Sequence, residues 1–190
     1  MSSINLSAQR KSYWHYRENP FSFSIRAGVN LSSLSGADHS RTKFGVNLGA
    51  MVDYNLPLSF PLALQTGIEY TSKGAEDVLT RNAKLDYLQI PIYAAYKLPV
   101  SDASKIVFAI GPYFAYGIHG SHYYLDPFKE DLLKRFDWGV GGGAGIEVRK
   151  FVGFLGVEKG LTNISKMEQK DGDLKSLKTL NIKLSVGYKF

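Results

Sequence analysis

From Phe21 to the C-terminus, apolar and polar residues alternate with a period of two. This is the pattern of β-strands whose two faces meet different surroundings. The first run places Phe21, Phe23, Ile25, Ala27, Val29 and Leu31 on one face and Ser22, Ser24, Arg26, Gly28 and Asn30 on the other. Further runs follow at 44–55, 62–73, 88–97, 106–118, 136–148, 151–162 and 180–190, so the pattern predicts eight strands. Pro91 and Pro112 lack the N–H that a ladder needs, and a bulge or local irregularity is expected at each. The seventh run is the least regular. Phe151, Leu155, Val157 and Leu161 set one phase and Val152 and Phe154 the other, which a bulge would reconcile.

The connections alternate as well. Long polar stretches at 32–43, 74–84, 120–134 and 165–176 take turns with short ones at 57–61, 100–104 and Lys150. Long loops at one end, short turns at the other and an even strand number are the plan of an eight-stranded antiparallel up-and-down transmembrane β-barrel with both termini at the short-turn end.

Alternation is shared with a soluble lipocalin-like barrel that binds a small ligand, whose apolar face points inward. The glycines separate the two. Gly28, Gly45, Gly49, Gly67, Gly111, Gly117, Gly139, Gly141, Gly143, Gly145 and Gly187 lie on the polar face, while bulky aromatics crowd the apolar one. An eight-stranded barrel has an interior only wide enough for side chains, so the polar face is expected inside. Charge agrees, since a Lys or Arg facing lipid near the midplane costs about 2–4 kcal/mol. The clear apolar faces carry none. In the seventh run either Glu158 or Lys159 must point outward, and the long stem of Lys159 suits it better. The interior then gathers Arg26, Asp53, Glu69, Lys73, Lys97, Glu147, Arg149, Glu158, Lys183 and Lys189. Such groups could line a narrow pore, but in a tight lumen opposite charges must pair, and a structural ion-pair network is the favoured reading.

Aromatics toward strand ends, namely Tyr54, Tyr70, Tyr96, Tyr116, Trp138 and Tyr188, suit two interfacial girdles. Composition narrows the rest. The 190 residues call for one domain over 21–190, preceded by an N-terminal segment, 1–20, which reads equally as an ordinary periplasmic leader or as the remnant of a signal peptide ending near Ala8. No apolar run approaches the roughly 20 residues of a membrane helix. The net charge of +6 comes from scattered Lys and Arg without a stripe, which argues against nucleic acid, and the absence of cysteine removes disulfides and thiol chemistry.

Several segments resemble a known family. Ala27–Asn30 (AGVN), Leu64–Gly74 (LQTGIEYTSKG), Tyr87–Tyr96 (YLQIPIYAAY), Ala109–Tyr113 (AIGPY) and Asp137–Glu147 occur in the order and spacing of the outer-membrane protein β-barrel domain common in Bacteroidetes, the PorT-like group. The resemblance implies a bacterial outer-membrane location, lipid as surroundings, and a Gram-negative export route through a signal peptide. One named member is tied to protein secretion. The terminal Tyr188-Lys189-Phe190 resembles the signal by which barrel-assembly machinery recognises its substrates, making Tyr188 and Phe190 assembly residues.

Candidate chemistry is sparse. Gly139–Gly145 (GVGGGAG) lacks the helix that a phosphate-binding loop would open. His119 and His122 with Asp126 have no specific metal spacing. No Gly-x-Ser-x-Gly elbow occurs, and Glu69 and Glu147 are interleaved with basic residues that favour pairing over acid–base work. The expectation is a noncatalytic barrel without cofactor or metal, serving a structural, secretion-accessory or adhesion role through its long outer loops, where protein partners would bind.

Overall fold

A computed structural model describes residues 20–35, 40–77, 83–121, 134–162 and 178–190. They form eight strands: β1 (Phe21–Ser35), β2 (Ser40–Asn55), β3 (Leu62–Asp77), β4 (Ala83–Ser101), β5 (Ser104–Ser121), β6 (Phe136–Val148), β7 (Phe151–Gly160) and β8 (Lys178–Lys189). Each pairs antiparallel with its sequence neighbours, and β8 returns to β1 to close the barrel. Closure leaves no unpaired edge, so every strand has two ladders for its backbone polar groups.

The strands run further into the long connections than alternation indicates. β4 has 19 residues and β5 has 18, whereas a tilted strand crosses a bilayer with about 9–11. The surplus lies at the loop end, where the β3–β4 and β4–β5 ladders continue as paired strand through polar sequence. The turn end is compact. Residues 56–61, 102–103 and 149–150 join strands there, beside Pro20 and Phe190.

Period two becomes a sharp division between outside and inside. The apolar face points outward: Phe23, Ile25, Leu48, Ile68, Phe108, Leu155 and Leu184 are all about half exposed, and Ile110 and Val186 reach 70% and 67%. In water so large an apolar patch is unfavourable; around a barrel it is the lipid-facing band. Aromatic rings mark its two margins. Phe21 with Tyr54 (4.9 Å) and Tyr188 with Phe151 (5.8 Å) lie at the turn end, and Phe114 with Phe136 (6.4 Å) lies toward the loop end.

No bulge forms at the three expected places, and the two prolines cause only a local gap in one ladder each. Pro91 keeps its register with Tyr113 on β5, and on the β3 side the pairs Thr66–Ile92 and Glu69–Gln89 continue one register across a gap. Pro112 likewise pairs in register with Val140, while its gap falls in the β4–β5 ladder. Each proline thus puts its missing donor in a local break of one ladder, leaving the other intact. The Thr66 hydroxyl donates to the Pro91 carbonyl at 2.8 Å. β7 carries no bulge either: its pairing with β6 and β8 is unbroken, and Val152 and Phe154 simply face inward. Room for Phe154 comes from glycine, since a Cβ on Gly145 or Gly156 would sit 2.9 Å from its ring. Register shifts occur instead at Thr42/Asn47, Asp86/Tyr87 and Pro99/Ser101.

Candidate functional site

The lumen holds the chain's concentrated polar chemistry, in three tiers along the barrel axis. At the turn end, four side chains from the even-numbered strands form a closed ring of ion pairs. Lys97 Nζ on β4 lies 2.5 Å from Asp53 Oδ2 on β2 and 3.1 Å from Glu147 Oε1 on β6. Lys189 Nζ on β8 lies 2.9 Å from Glu147 Oε2 and 3.4 Å from Asp53 Oδ2. Strand stagger explains the membership, because in a small tilted barrel alternate strands bring inward side chains to one level. Gln65 donates to Asp53 Oδ1 at 2.7 Å and accepts from Arg26 at 3.4 Å, and the Arg26 guanidinium lies 5.8 Å from the Phe154 ring centre.

The middle tier converges on Glu158, 1% exposed. Lys183 Nζ approaches its Oε1 to 2.5 Å and Glu69 to 2.9 Å, and Lys73 Nζ lies 3.6 Å from its Oε2. Gln89 (2.7 Å), Tyr93 (3.2 Å) and Asn181 (3.2 Å) also donate to Glu158. Lys73 further donates to Gln89 Oε1 at 2.9 Å. A carboxylate at such depth is tolerable only when paired and fully hydrogen-bonded, and this one is.

Toward the loop end, Thr179 donates to Asp137 at 3.0 Å, and the ammonium of Lys73 faces the Tyr113 ring at 4.6 Å and the Tyr87 ring at 5.6 Å. A desolvated cation against an aromatic face gains roughly 2 kcal/mol. Asp86 is buried at this level too. The glycine-rich stretch of β6 serves these groups. A Cβ on Gly141 would stand 2.6 Å from the Tyr93 hydroxyl and 2.9 Å from Glu158 Cγ, and one on Gly139 would stand 2.8 Å from the Tyr113 hydroxyl. The GVGGGAG segment is thus the wall that makes room for tyrosines of the adjoining β4 and β5. A cavity of about 10 Å³ lined by Arg26, Met51, Tyr93, Phe154 and Lys183 lies within the lumen, with space for one water at most.

Of the charges expected inside, Arg26, Asp53, Glu69, Lys73, Lys97, Glu147, Glu158 and Lys183 are buried there and Lys189 is half-buried. Arg149 is not. It is exposed in the two-residue turn between β6 and β7, with φ of 53°, because alternation ends at Val148 and the turn resets the phase. Asp137 and Asp86 join the network although neither stood out by composition. Their signal is position on the inward phase, together with the misplaced-looking tyrosines 87, 93 and 113. Lys159 points outward near the loop end of β7. Tyr54 and Tyr70 are half-buried, and Tyr96, Tyr116, Trp138 and Tyr188 are exposed on the outer wall. Phe190 is 68% exposed, its amide bonded to Phe23 O at 2.9 Å and its ring 5.3 Å from that of Tyr188. His119 is exposed on β5; His122, Asp126 and residues 1–19 lie outside the described residues.

A family model described as outer membrane protein beta-barrel domain matches residues 7–166. No curated protein matches the chain by sequence. Among solved structures, Neisserial surface protein A is similar with a TM-score of 0.56 at 12% identity, over 88% of this chain and 97% of that one. A major outer membrane protein from Thermus thermophilus gives 0.55 at 15%, over 90% and 99%. The outer membrane enzyme PagL gives 0.52 at 12%, over 87% and 98%. At these identities the likeness concerns the fold.

Proposed function

The chain belongs to the outer membrane protein beta-barrel domain family, and from that premise we propose that it is a noncatalytic barrel of the bacterial outer membrane whose work is done by its outer hairpins and loops. The observation that carries this reading is the filled lumen. Among the described residues, two tiers of ion pairs and a third of hydrogen-bond and cation–ring contacts fill the lumen around a residual space of about 10 Å³, and this packing argues against a solute route. The carboxylates of the turn-end and middle tiers are committed to lysines, and Asp137 accepts from Thr179. Strands β4 and β5 instead extend well past the length a bilayer needs and hold out a rigid platform, the usual scaffold for recognition loops.

The partners proposed are outer-membrane lipid around the wall, the barrel-assembly machinery at the C-terminal strand through Tyr188 and Phe190, and a protein contacted by the loops in an adhesion or secretion-accessory role. Placement among the PorT-like members of Bacteroidetes belongs to this proposal and is supported by the five motif segments. So do a domain division at about residue 20 and an exported precursor with a signal peptide. The test is in-cell crosslinking from a photoreactive residue at Tyr116 or Ile118, in the wild type and in a deletion of residues 122–133. The deletion keeps the heat-modifiable folded band and loses a discrete protein adduct. An adduct pattern identical in the two strains would overturn the loop reading.

A further inference from the structure

The rim at the turn end contains two adjoining hollows that the lumen network does not use. One is an apolar groove of about 280 Å³ walled by Leu56, Leu58, Phe60, Leu62 and Pro99, with Lys97 and Lys105 at its edge. The other is a polar basin of about 340 Å³ bounded by Asp102, Lys105, Glu147, Arg149 and Lys189. Lys105 lines both, and the Lys97–Glu147 pair (3.1 Å) stands between them. The groove is mostly apolar with a few placed charges, and the two volumes lie at the lower end of those of small-molecule sites, about 300–1,000 Å³.

The hollows are built into the backbone. Lys97 N donates to Pro61 O at 2.8 Å, fastening the β2–β3 turn to β4, and Arg149 N donates to Ala103 O at 2.7 Å, fastening the β6–β7 turn to the β4–β5 turn. The register shift at Pro99/Ser101 adds a residue to β4 opposite Lys105. Bulges at barrel rims commonly re-aim a neighbouring side chain. Arg149 occupies the left-handed region at φ 53°, where a long side chain is uncommon and invites a functional explanation.

The charges differ from those inside. Asp53 and Glu147 are satisfied by Lys97 and Lys189. The side chains of Lys105 and Arg149 have no ion-pair or hydrogen-bond partner among the described residues, and Asp102, exposed on the basin's edge, is the remaining acid there. The pair of hollows therefore offers an apolar trough ending at two unneutralised cations, at the level of the aromatic margin formed by Tyr54, Phe151 and Tyr188. A single trough of about 280 Å³ suits one acyl chain and not two.

We propose that this rim binds a single-chain lipid with an anionic headgroup, drawn from the periplasmic leaflet, its chain in the Leu58–Phe60 groove and its headgroup between Lys105 and Arg149. The test is electron paramagnetic resonance of the full chain in phosphatidylcholine bilayers containing spin-labelled stearate above its ionisation pH, or spin-labelled phosphatidylcholine or phosphatidylglycerol. Stearate shows a motionally restricted fraction roughly two- to fivefold above that of either phospholipid, the worth of one partly screened ion pair. The excess disappears in a Lys105→Gln/Arg149→Gln double variant and in Leu58→Ser/Phe60→Ser. It persists in Lys159→Gln, which removes a lipid-facing cation at the opposite end, and heat-modifiable mobility verifies that each variant is folded. Equal restriction of stearate and phosphatidylcholine, equal restriction of stearate and phosphatidylglycerol, or an excess that survives the double variant would each overturn the proposal.

Discussion

Removal of one charge at the centre of the lumen tests the energetics directly. Glu158 is shared by Lys183 and Lys73, and the two cations are not equally provided for once it is gone. In Glu158→Gln, Lys183 keeps Glu69 at 2.9 Å. Lys73 keeps the Gln89 carbonyl oxygen, two tyrosine ring faces and the more distant charge of Asp137, with no other ion pair among the described residues. Taking one partner from a buried pair costs about 3–5 kcal/mol. The new amide can still accept from Asn181 or Gln89, so the lower half of that range, near 3 kcal/mol, is expected. Glu69→Gln leaves Lys183 with Glu158 and loses one charge-assisted contact, about 1.5–3 kcal/mol. Adding Lys73→Met to Glu158→Gln removes the stranded cation and restores at least about 1 kcal/mol, within the coupling range of neighbouring sites. Reversible guanidinium unfolding from lipid vesicles, followed by tryptophan emission, reads all four proteins. This division of the two cations fails if Glu158→Gln lies within about 1 kcal/mol of wild type, if Glu69→Gln costs more, or if the double variant is the least stable.

Other outcomes follow from the walls. Gly143→Ala would drive its Cβ against the backbone oxygen of Leu155, while Gly153→Ala meets nothing nearer than 3.7 Å; in the same titration the first loses about 1–3 kcal/mol and the second stays within about 0.5 kcal/mol. On the lipid face, Leu155→Lys costs about 2–4 kcal/mol and Lys159→Leu less than about 1 kcal/mol, since the penalty falls off toward the interface; similar values for both would misplace the membrane. At the C-terminal strand, Phe190→Ser slows appearance of the folded band in cells while the refolded protein unfolds at nearly the wild-type denaturant concentration; a large loss of stability instead would make Phe190 a packing residue.

Much of this barrel can be read from local alternation. β6 runs over the residues its pattern marks, and the inward placement of Asp53, Glu69 and Lys183 follows from phase alone. Three things do not follow. Phe154 is apolar yet inward, and two glycines make that possible, Gly145 beside it in the β6–β7 ladder and Gly156 two residues further along β7 itself. Arg149 continues the inward phase in sequence but falls in a two-residue turn, where phase has no meaning. Partner choice is the third: Lys183 meets Glu69 from 114 residues away, and only the closing register between β1 and β8 brings them together. Strand ends at the loop end were also hidden, because polar hairpin extensions outside the lipid carry no apolar signal.

The seam where the first strand meets the last is the place a barrel could be pried apart. Here β8 does more than pair with β1. Lys189 reaches over β1 to Asp53 on β2 and over β7 to Glu147 on β6, and Lys183 reaches over β1 and β2 to Glu69. Parting the seam would strip charged bonds from strands on both sides at once, so this junction behaves mechanically as a rivet through the tube and not as a zipper along its edge. A molecule fastened in this way opens everywhere or nowhere. Its amide protons along β1 and β8 should exchange with solvent as slowly as those of β4 and β5, giving the cell a rigid post with no side door.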